Sequence, residues 1–392
     1  MEFREIAEKL GFEKYPEALD EIYASMPKDD APACDLGLIE KLEQDMQMFG
    51  RYYDLVKRTA EQINNDPVRS IWVKVAAKFA LENTSKVAKT VPSPKSDGTE
   101  VTDMLPLHIM IPQIPVAIEE YYRRGFSYEE VKGLMKDFED SIGILENLWG
   151  RPMINALYFG WLHHYTKVEI FATGGYWFEL TEVKPAAMWL RNRQTGEIVC
   201  VPCRGTFDKT GSQIVGSRNY EDPTDSFTVS VYEDDEKFVC HGIYDHKVSR
   251  EAIEYPKSQW ECAARPGDPC LELHIPRNGS IALDVFDKAV VSAREIAKTR
   301  FPEKAGMPVH GSSWLLDPKV AQILGPDSRL SLFMERFSRH PQRSPGTSVF
   351  GYVFPKTYTD YASLPEDTSL QRKLKKLYMD GDCVHGQAGM VF

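Results

Sequence analysis

Apolar positions recur at three- and four-residue steps along the first 160 residues, then give way to short runs of β-prone residues. Ile39, Leu42, Met46, Phe49 and Tyr53 mark one helical face. Ser127 and Glu130 form a capping box ahead of a second stripe of Val131, Leu134, Phe138, Ile142 and Leu145. Between these, "GTEVTDMLPLHIMIPQIPVAIEEYYRRG" is apolar but interrupted by Pro106, Pro112 and Pro115. Proline removes a helix-interior donor, so a buried connection followed by one helix is expected there. The aromatic and Met positions of this half read as core.

From Lys167 the pattern is β. "KVEIFATGGYWFEL" predicts a hairpin around Gly174-Gly175. "MWLRNRQTGEIVCVPC" and "SFTVSVYEDDEKFVCHGIY" predict two more antiparallel pairs, with turns at Thr195-Gly196 and Asp234-Asp235, and the polar stretch 205–225 reads as a surface loop. The order then changes. A strand at 270–275, a helix at 283–299, a strand in "PVHGSSWLLD", a short helix at 318–324, strands in "RLSLFMERF" and "SVFGYVF", and a last helix follow. That helix is capped by Thr368 and Gln371, striped by Leu370, Leu374 and Leu377, and ended by Gly381. The expected fold is α/β in the α+β sense: a helical domain over 1–160 and a mixed, mostly antiparallel sheet with flanking helices over 161–392.

Composition narrows the class. With 42% apolar and 27% charged residues the 392-residue chain is globular. No apolar run reaches the roughly 18–20 residues of a membrane span, and "MEFREIAEKLGFEKY" lacks a signal-peptide pattern, so a cytoplasmic protein without a membrane partner is expected. A net charge of −11 disfavours nucleic acid as a partner. Seven cysteines without framework spacing read as inert thiols; the CxxC of Cys200 and Cys203 has no second pair, and no metal is expected.

Candidate chemistry gathers in "CLELHIPRNGS", residues 270–280. In a strand, Glu272 and His274 share one face while Leu271, Leu273 and Ile275 turn to the core. Two titratable groups so placed suit a base and its relay, against the plainer alternative of a solvated polar face. Gly279 permits backbone angles closed to other residues. The following helix directs amide groups into the turn, where Arg277 adds charge, a setting suited to phosphate. "HGSSW" lacks a GxSxG elbow, so a serine hydrolase through Ser312 or Ser313 near His310 is a distant reading. Gln213 and Gly216 in "SQIVGSR" imitate an acyl-CoA phosphate loop, but no helix follows. His163 and His164 in "GWLHHY" read as structural.

"WECAARPGDPCLELHIPRNG", "GSSWLLDPKVAQILGPDSRLSLFMERF" and "LPEDTSLQRKLKKLYMDG", with "LPLHIMIPQIP", "GWLHHY" and "FATGGYWFEL" upstream, extend over roughly residues 40–392. In these motifs the chain resembles bacterial acyltransferase-domain proteins that join a helical N-acyltransferase N-terminal domain to a GNAT-like C-terminal domain. The resemblance implies acyl transfer from a CoA thioester, as co-substrate, to a small-molecule or peptide amine. It implies that strand amides near Leu273 and Ile275 hold the pantetheine arm and the developing oxyanion. The turn Pro276, Arg277, Asn278, Gly279 and Ser280 would take the pyrophosphate, and 308–316 is the splayed neighbour. Glu272 or His274 would accept the amine proton, and Ser313 or Tyr352 would protonate the leaving thiolate. Two departures stand out. Ala282 replaces a capping Ser or Thr, and the usual GNAT glycine loop is absent. They motivate the alternative of a non-catalytic GNAT-like module that binds a ligand or a protein.

Overall fold

The computed structural model describes residues 2–27, 31–82, 91–92, 94–184, 186–211, 213–214, 225–244, 246–276, 279–304, 306–340, 346–354, 356 and 358–392. The chain divides into two compact units, Met1–Phe171 and Ala172–Phe392. The helix Ala156–Thr166 spans residue 160 and lies within the first unit.

The first unit is helical, with ten α-helices among the described residues. Both predicted stripes run across breaks. Leu36–Met46 ends where Gln47 turns left-handed (φ 52°), and the stripe resumes through a 3₁₀ turn into Tyr53–Asn64. The capping box of Ser127 and Glu130 is present, but Tyr128–Met135 hands over at Lys136 to a second helix, Asp137–Trp149. The prolines do not break the central segment. Pro106 lies inside Glu100–Met110, while Pro112 and Pro115 open the next turns, where a missing N–H costs nothing. Glu100–Arg123 is thus one 24-residue helical run, long and apolar enough to cross a membrane by length and composition. This corrects the expectation that no segment is. Its best window is 72% buried, the behaviour of a core helix. Trp72 anchors a further part of this core, stacked on Phe12 at 4.3 Å and on Phe3 at 5.5 Å.

Two buried histidines make this unit acid-sensitive. Burial pushes His108 and His163 down from 6.5 to about 3. The unfolded chain therefore takes up protons below pH 6.5 that the folded unit refuses, and stability falls with pH. Asp137 works the other way, raised to about 6 by burial. Two histidines outweigh one aspartate, so the urea midpoint of this unit is expected to drop steadily from pH 6.5 to pH 4. A midpoint that holds constant would contradict the burial.

The second unit carries fifteen strands among the described residues, the first of which, β1 (Ile170–Thr173), straddles the division. They are β2 (Tyr176–Glu182), β3 (Ala187–Asn192), β4 (Ile198–Pro202), β5 (Arg204–Phe207), β6 (Gln213–Ile214), β7 (Phe227–Ser230), β8 (Tyr232–Glu233), β9 (Lys237–Tyr244), β10 (Lys247–Pro256), β11 (Trp260–Ala264), β12 (Pro269–His274), β13 (Val309–Ser313), β14 (Ser338–His340) and β15 (Gln387–Val391). The main sheet has the order β1-β2-β12-β13-β15-β14, and three-stranded sheets β10-β9-β8, β11-β3-β4 and β6-β5-β7 accompany it. β12 and β13 are parallel, while β2–β12, β13–β15 and β14–β15 run antiparallel. A parallel neighbour needs a crossover, and the helix Leu283–Arg300 lies within it.

The hairpin at Gly174-Gly175 forms as expected, with φ of 61° and 81° at the two glycines. Other expectations fail. "RLSLFMERF" supplies the helix Arg329–Met334, started by the Ser328 cap, because its apolar residues fit a helical face as well as a strand. "SVFGYVF" is a turn whose residues Phe350 and Phe354 make an isolated bridge. The loop expected at 205–225 holds β5 and β6; residues 215–224, including Gly216 of the phosphate-loop imitation, lie outside the described residues.

The main sheet has two unlike faces. On one, Leu271, Leu273 and Phe178 are buried, and the Phe286 ring of the crossover helix stacks on Phe337 at 5.5 Å and meets Tyr176 and Phe333 edge-on. Gly311 and Gly389 make room for Phe337, since a Cβ on either would approach its ring or Cβ within 3.1 Å and 2.8 Å. On the other face, Cys270 and Met390 pack with Trp189, Ala187 and Cys200. The same face turns polar toward the C-terminal end of β12.

Candidate active site

β12 is paired on both sides only as far as Leu273. Toward β2 its ladder runs through His274↔Trp177. Toward β13 the last rung is Leu273↔Gly311, and β13 continues alone with β15 through Ser312↔Ala388 and Ser313↔Gln387. The parallel pair therefore opens into a V beyond Leu273. Beyond that rung, β12 and β13 no longer share a ladder. The Leu273 side chain is buried.

The turn at the end of β12 closes by a hydrogen bond from Gly279 N to Pro276 O at 2.8 Å. Gly279 is needed for space and not for a left-handed angle, since a Cβ there would sit 2.9 Å from Pro276 O. This corrects the expectation of a special backbone conformation. Ser280 Oγ accepts from Ala282 N at 3.2 Å, and its carbonyl accepts from the Tyr176 hydroxyl. Ala282 caps the crossover helix without a side-chain hydrogen bond, and Asp284 stands in the first turn. Ile275 and Pro276 are half-buried; Arg277 and Asn278 lie outside the described residues.

Strand register builds the charged cluster. Glu272 faces Glu179 on β2 and His310 on β13, one rung across three strands. Glu272 and His274 share that face as expected. His274 Nε2 lies 3.0 Å from Glu179 Oε2, and since a carboxylate only accepts, the imidazole proton sits on Nε2. Lys184, just after β2, places Nζ at 2.9 Å from Glu272 Oε2 and 3.5 Å from Glu179 Oε1. Burial alone would lower the Lys184 pKa, but Glu272 and then Glu179 carry it above its ordinary value. Burial holds His310 below its ordinary value. Its Nδ1 stands 3.9 Å from Glu272, and its buried Nε2 has no hydrogen-bond partner.

Glu179 and Lys184 were not among the catalytic candidates read from the sequence, and His310 entered only the distant serine-hydrolase reading. The signal was present in "YWFEL", where an acid interrupts buried β-prone residues, but its rung opposite Glu272 depends on an unpredictable register. Ser313 lies past the opening and caps the turn Trp314–Leu316 by accepting from Leu315 N at 3.2 Å. Tyr352 is 62% exposed in a turn, not on the strand expected for it. His163 is buried beside Thr166, and His164 pairs with Glu169 at 3.2 Å. All seven cysteines are thiols, with Cys203 pushed up to about 11 by burial. Asp382, Cys383 and His385 bring ligand atoms within 4.8 Å of one another, but the Lys319 ammonium already pairs with Asp382 and opposes a cation there.

No curated protein matches the chain in sequence. Among solved structures, an acyltransferase in complex with decanoyl-CoA and teicoplanin superposes with a TM-score of 0.63 at 15% identity, covering 100% of this chain and 99% of that one. An acyltransferase in complex with CoA and 10C-teicoplanin, and an acyltransferase mutant with octanoyl-CoA, each give 0.66 at 15% identity over the same shares. These likenesses concern the fold. The sequence profile described as GNAT-like C-terminal domain matches residues 179–391, more than half of the chain, and by this match the protein belongs to the GNAT-like C-terminal domain family.

Proposed function

We propose that this protein transfers an acyl group from an acyl-CoA thioester to an amine, with His274 as the base. The observation that carries the reading is the V beyond Leu273↔Gly311, with the Glu179–His274 pair at its mouth. Support comes from the structural neighbours, which are acyltransferases holding octanoyl-CoA, decanoyl-CoA or CoA, two of them with a teicoplanin, a small-molecule companion.

In this reading the pantetheine arm pairs with the open edge of β12. The turn Pro276–Ser280, with Arg277 and Asn278, meets the pyrophosphate at the start of the crossover helix. Because Nε2 of His274 donates to Glu179, Nδ1 carries the lone pair. It accepts the amine proton as the nitrogen attacks the thioester carbonyl. Backbone N–H groups in the V stabilise the oxyanion. The tetrahedral intermediate expels CoA as thiolate. The Ser313 cap uses only an oxygen lone pair, leaving its O–H to donate to that sulfur. Glu272, held by Lys184, sets the charge around the acceptor.

The test is thermal: acyl-CoAs of two to twelve carbons should raise the melting temperature saturably, since a ligand at 100 times its Kd adds about 2.7 kcal/mol. No shift at any chain length would overturn the proposal. The missing cap at Ala282 and the acidic Asp284 favour a second reading, a ligand-binding module without turnover. Stabilisation with no acylated product from any amine would select it.

A further inference from the structure

We propose that a groove at the end of the main sheet opposite the V binds an aliphatic monocarboxylate, with Arg294 holding its headgroup. The site is separate from the V and independent of the acyl transfer proposed above. β13 meets β15 from Val309↔Val391 to Ser313↔Gln387; the V opens at the second end, and the groove lies at the first. Its volume is about 580 Å³, within the roughly 300–1,000 Å³ of small-molecule sites. Helical spacing builds one wall. Asp287, Val291 and Arg294 recur at four- and three-residue steps along the crossover helix, with Val290 beside them, so they form one stripe. Ile198 of β4, Met390 of β15 and Phe392 complete an apolar lining, the Phe392 ring lying beneath the Arg191 guanidinium at 5.6 Å. Val291 is 68% exposed, an apolar side chain that the fold leaves uncovered.

Charge selects the ligand. Arg336 is cancelled by Asp287, whose carboxylate accepts from Nε at 3.1 Å and from Nη2 at 2.9 Å. Arg294 has no such partner. Its Nη2 donates to Val391 O at 2.9 Å, its one hydrogen bond among the described residues, and no carboxylate there pairs with it. The side chain is half-buried, and burial alone holds its pKa below the ordinary value. A guanidinium has five N–H donors, so most of them are left over. Water can take those donors but brings no charge to offset the cation. A carboxylate does both, accepting two parallel N–H bonds. With Arg336 and Asp287 neutral as a pair, the side chains of the lining carry one net positive charge, which a monoanion balances and a phosphate dianion exceeds. The apolar wall beside Arg294 takes the aliphatic chain. An amine is repelled by Arg294, and an alcohol forfeits the ion pair.

The full-length protein is titrated with sodium decanoate by calorimetry, with and without saturating octanoyl-CoA, and amide exchange locates the ligand. The expected result is saturable decanoate binding that octanoyl-CoA does not disturb, with exchange slowed at Val290–Arg294 and Met390–Phe392. 1-Decanol and decylammonium should bind about tenfold more weakly or worse, and Arg294→Gln should lose about tenfold in decanoate affinity, the usual worth of hydrogen bonds to a charged group. Val291→Glu changes an exposed position, leaves Arg294 in place and should weaken decanoate through like charge. Displacement of decanoate by octanoyl-CoA would put it in the V and overturn the inference. Equal affinity for 1-decanol, unchanged affinity in both variants, or no saturable binding would overturn it as well. Decanoate binding at the expected amides, without heat protection by any acyl-CoA, supports this site and overturns the acyl-transfer reading alone.

Discussion

His274→Ala is expected to lose roughly 10²- to 10⁴-fold in acyl transfer, the usual contribution of a placed general base, while acyl-CoA still protects the variant from heat. The two halves of this result follow from separate parts of β12. Acyl-CoA recognition is assigned to backbone groups beyond Leu273 and to the turn that follows, and neither needs the imidazole. In the proposed reaction proton transfer needs it, because with Nε2 donating to Glu179 the atom left to accept the amine proton is Nδ1. Glu272 is the competing base, and the geometry argues against it. Its carboxylate is engaged by Lys184 at 2.9 Å, and the adjacent His310 stands too far for a hydrogen bond at 3.9 Å. Glu272→Gln should therefore cost less in kcat than His274→Ala and show more of its effect in the KM for the amine. Glu179→Gln should behave as a positioning change, lowering kcat without altering acyl-CoA protection. The measurement is steady-state acyl transfer to a primary amine beside a melting curve for each variant. Turnover in His274→Ala within threefold of the parent would remove it as base, and a larger loss in Glu272→Gln would move the role there.

The part of this site legible in the sequence was the part written locally. Glu272 and His274 are two residues apart, so their shared face follows from strand period alone. The short helix Pro318–Leu324, capped by Asp317, and the last helix, with its Thr368 capping box, carry their own start signals. What stayed hidden depends on pairing between distant segments. Glu179 is 93 positions before Glu272 and His310 is 38 after it, and only the ladder puts them on one rung. The missed strand β15 reads "QAGMV", poor in β-branched residues, because its glycine must leave space for Phe337. Packing, not propensity, makes it a strand. Arg329–Met334 fails the opposite way, an apolar run too short for its period to separate helix from strand.

Phe286→Ala is expected to destabilise the second unit by about 3–5 kcal/mol, the range for emptying an aromatic site in a close-packed core. Phe286 is fully buried one turn into the crossover helix, with its ring centroid 4.8 Å from Phe333, 5.5 Å from Phe337 and 5.9 Å from Tyr176. Relaxation into the void is hindered from below. Phe337 is already pressed against Gly311 and Gly389, and Tyr176 is held by its hydrogen bond to Ser280. These constraints make the cavity persist and place the cost toward the upper end of the range. They also connect the core to the site. Tyr176 ties β2 to the turn that ends β12, and Phe286 supports Tyr176 from the helix whose first amides face that turn. Loss of the ring should therefore weaken acyl-CoA protection even at temperatures where Phe286→Ala remains folded, whereas Phe286→Leu, which fills most of the volume, should keep it. Amide exchange of β12 and of the crossover helix, measured against denaturant, reads the stability of this unit apart from the helical one. A loss under 1 kcal/mol would show that the aromatic cluster collapses freely, and the turn would then owe its position to the Tyr176–Ser280 bond alone.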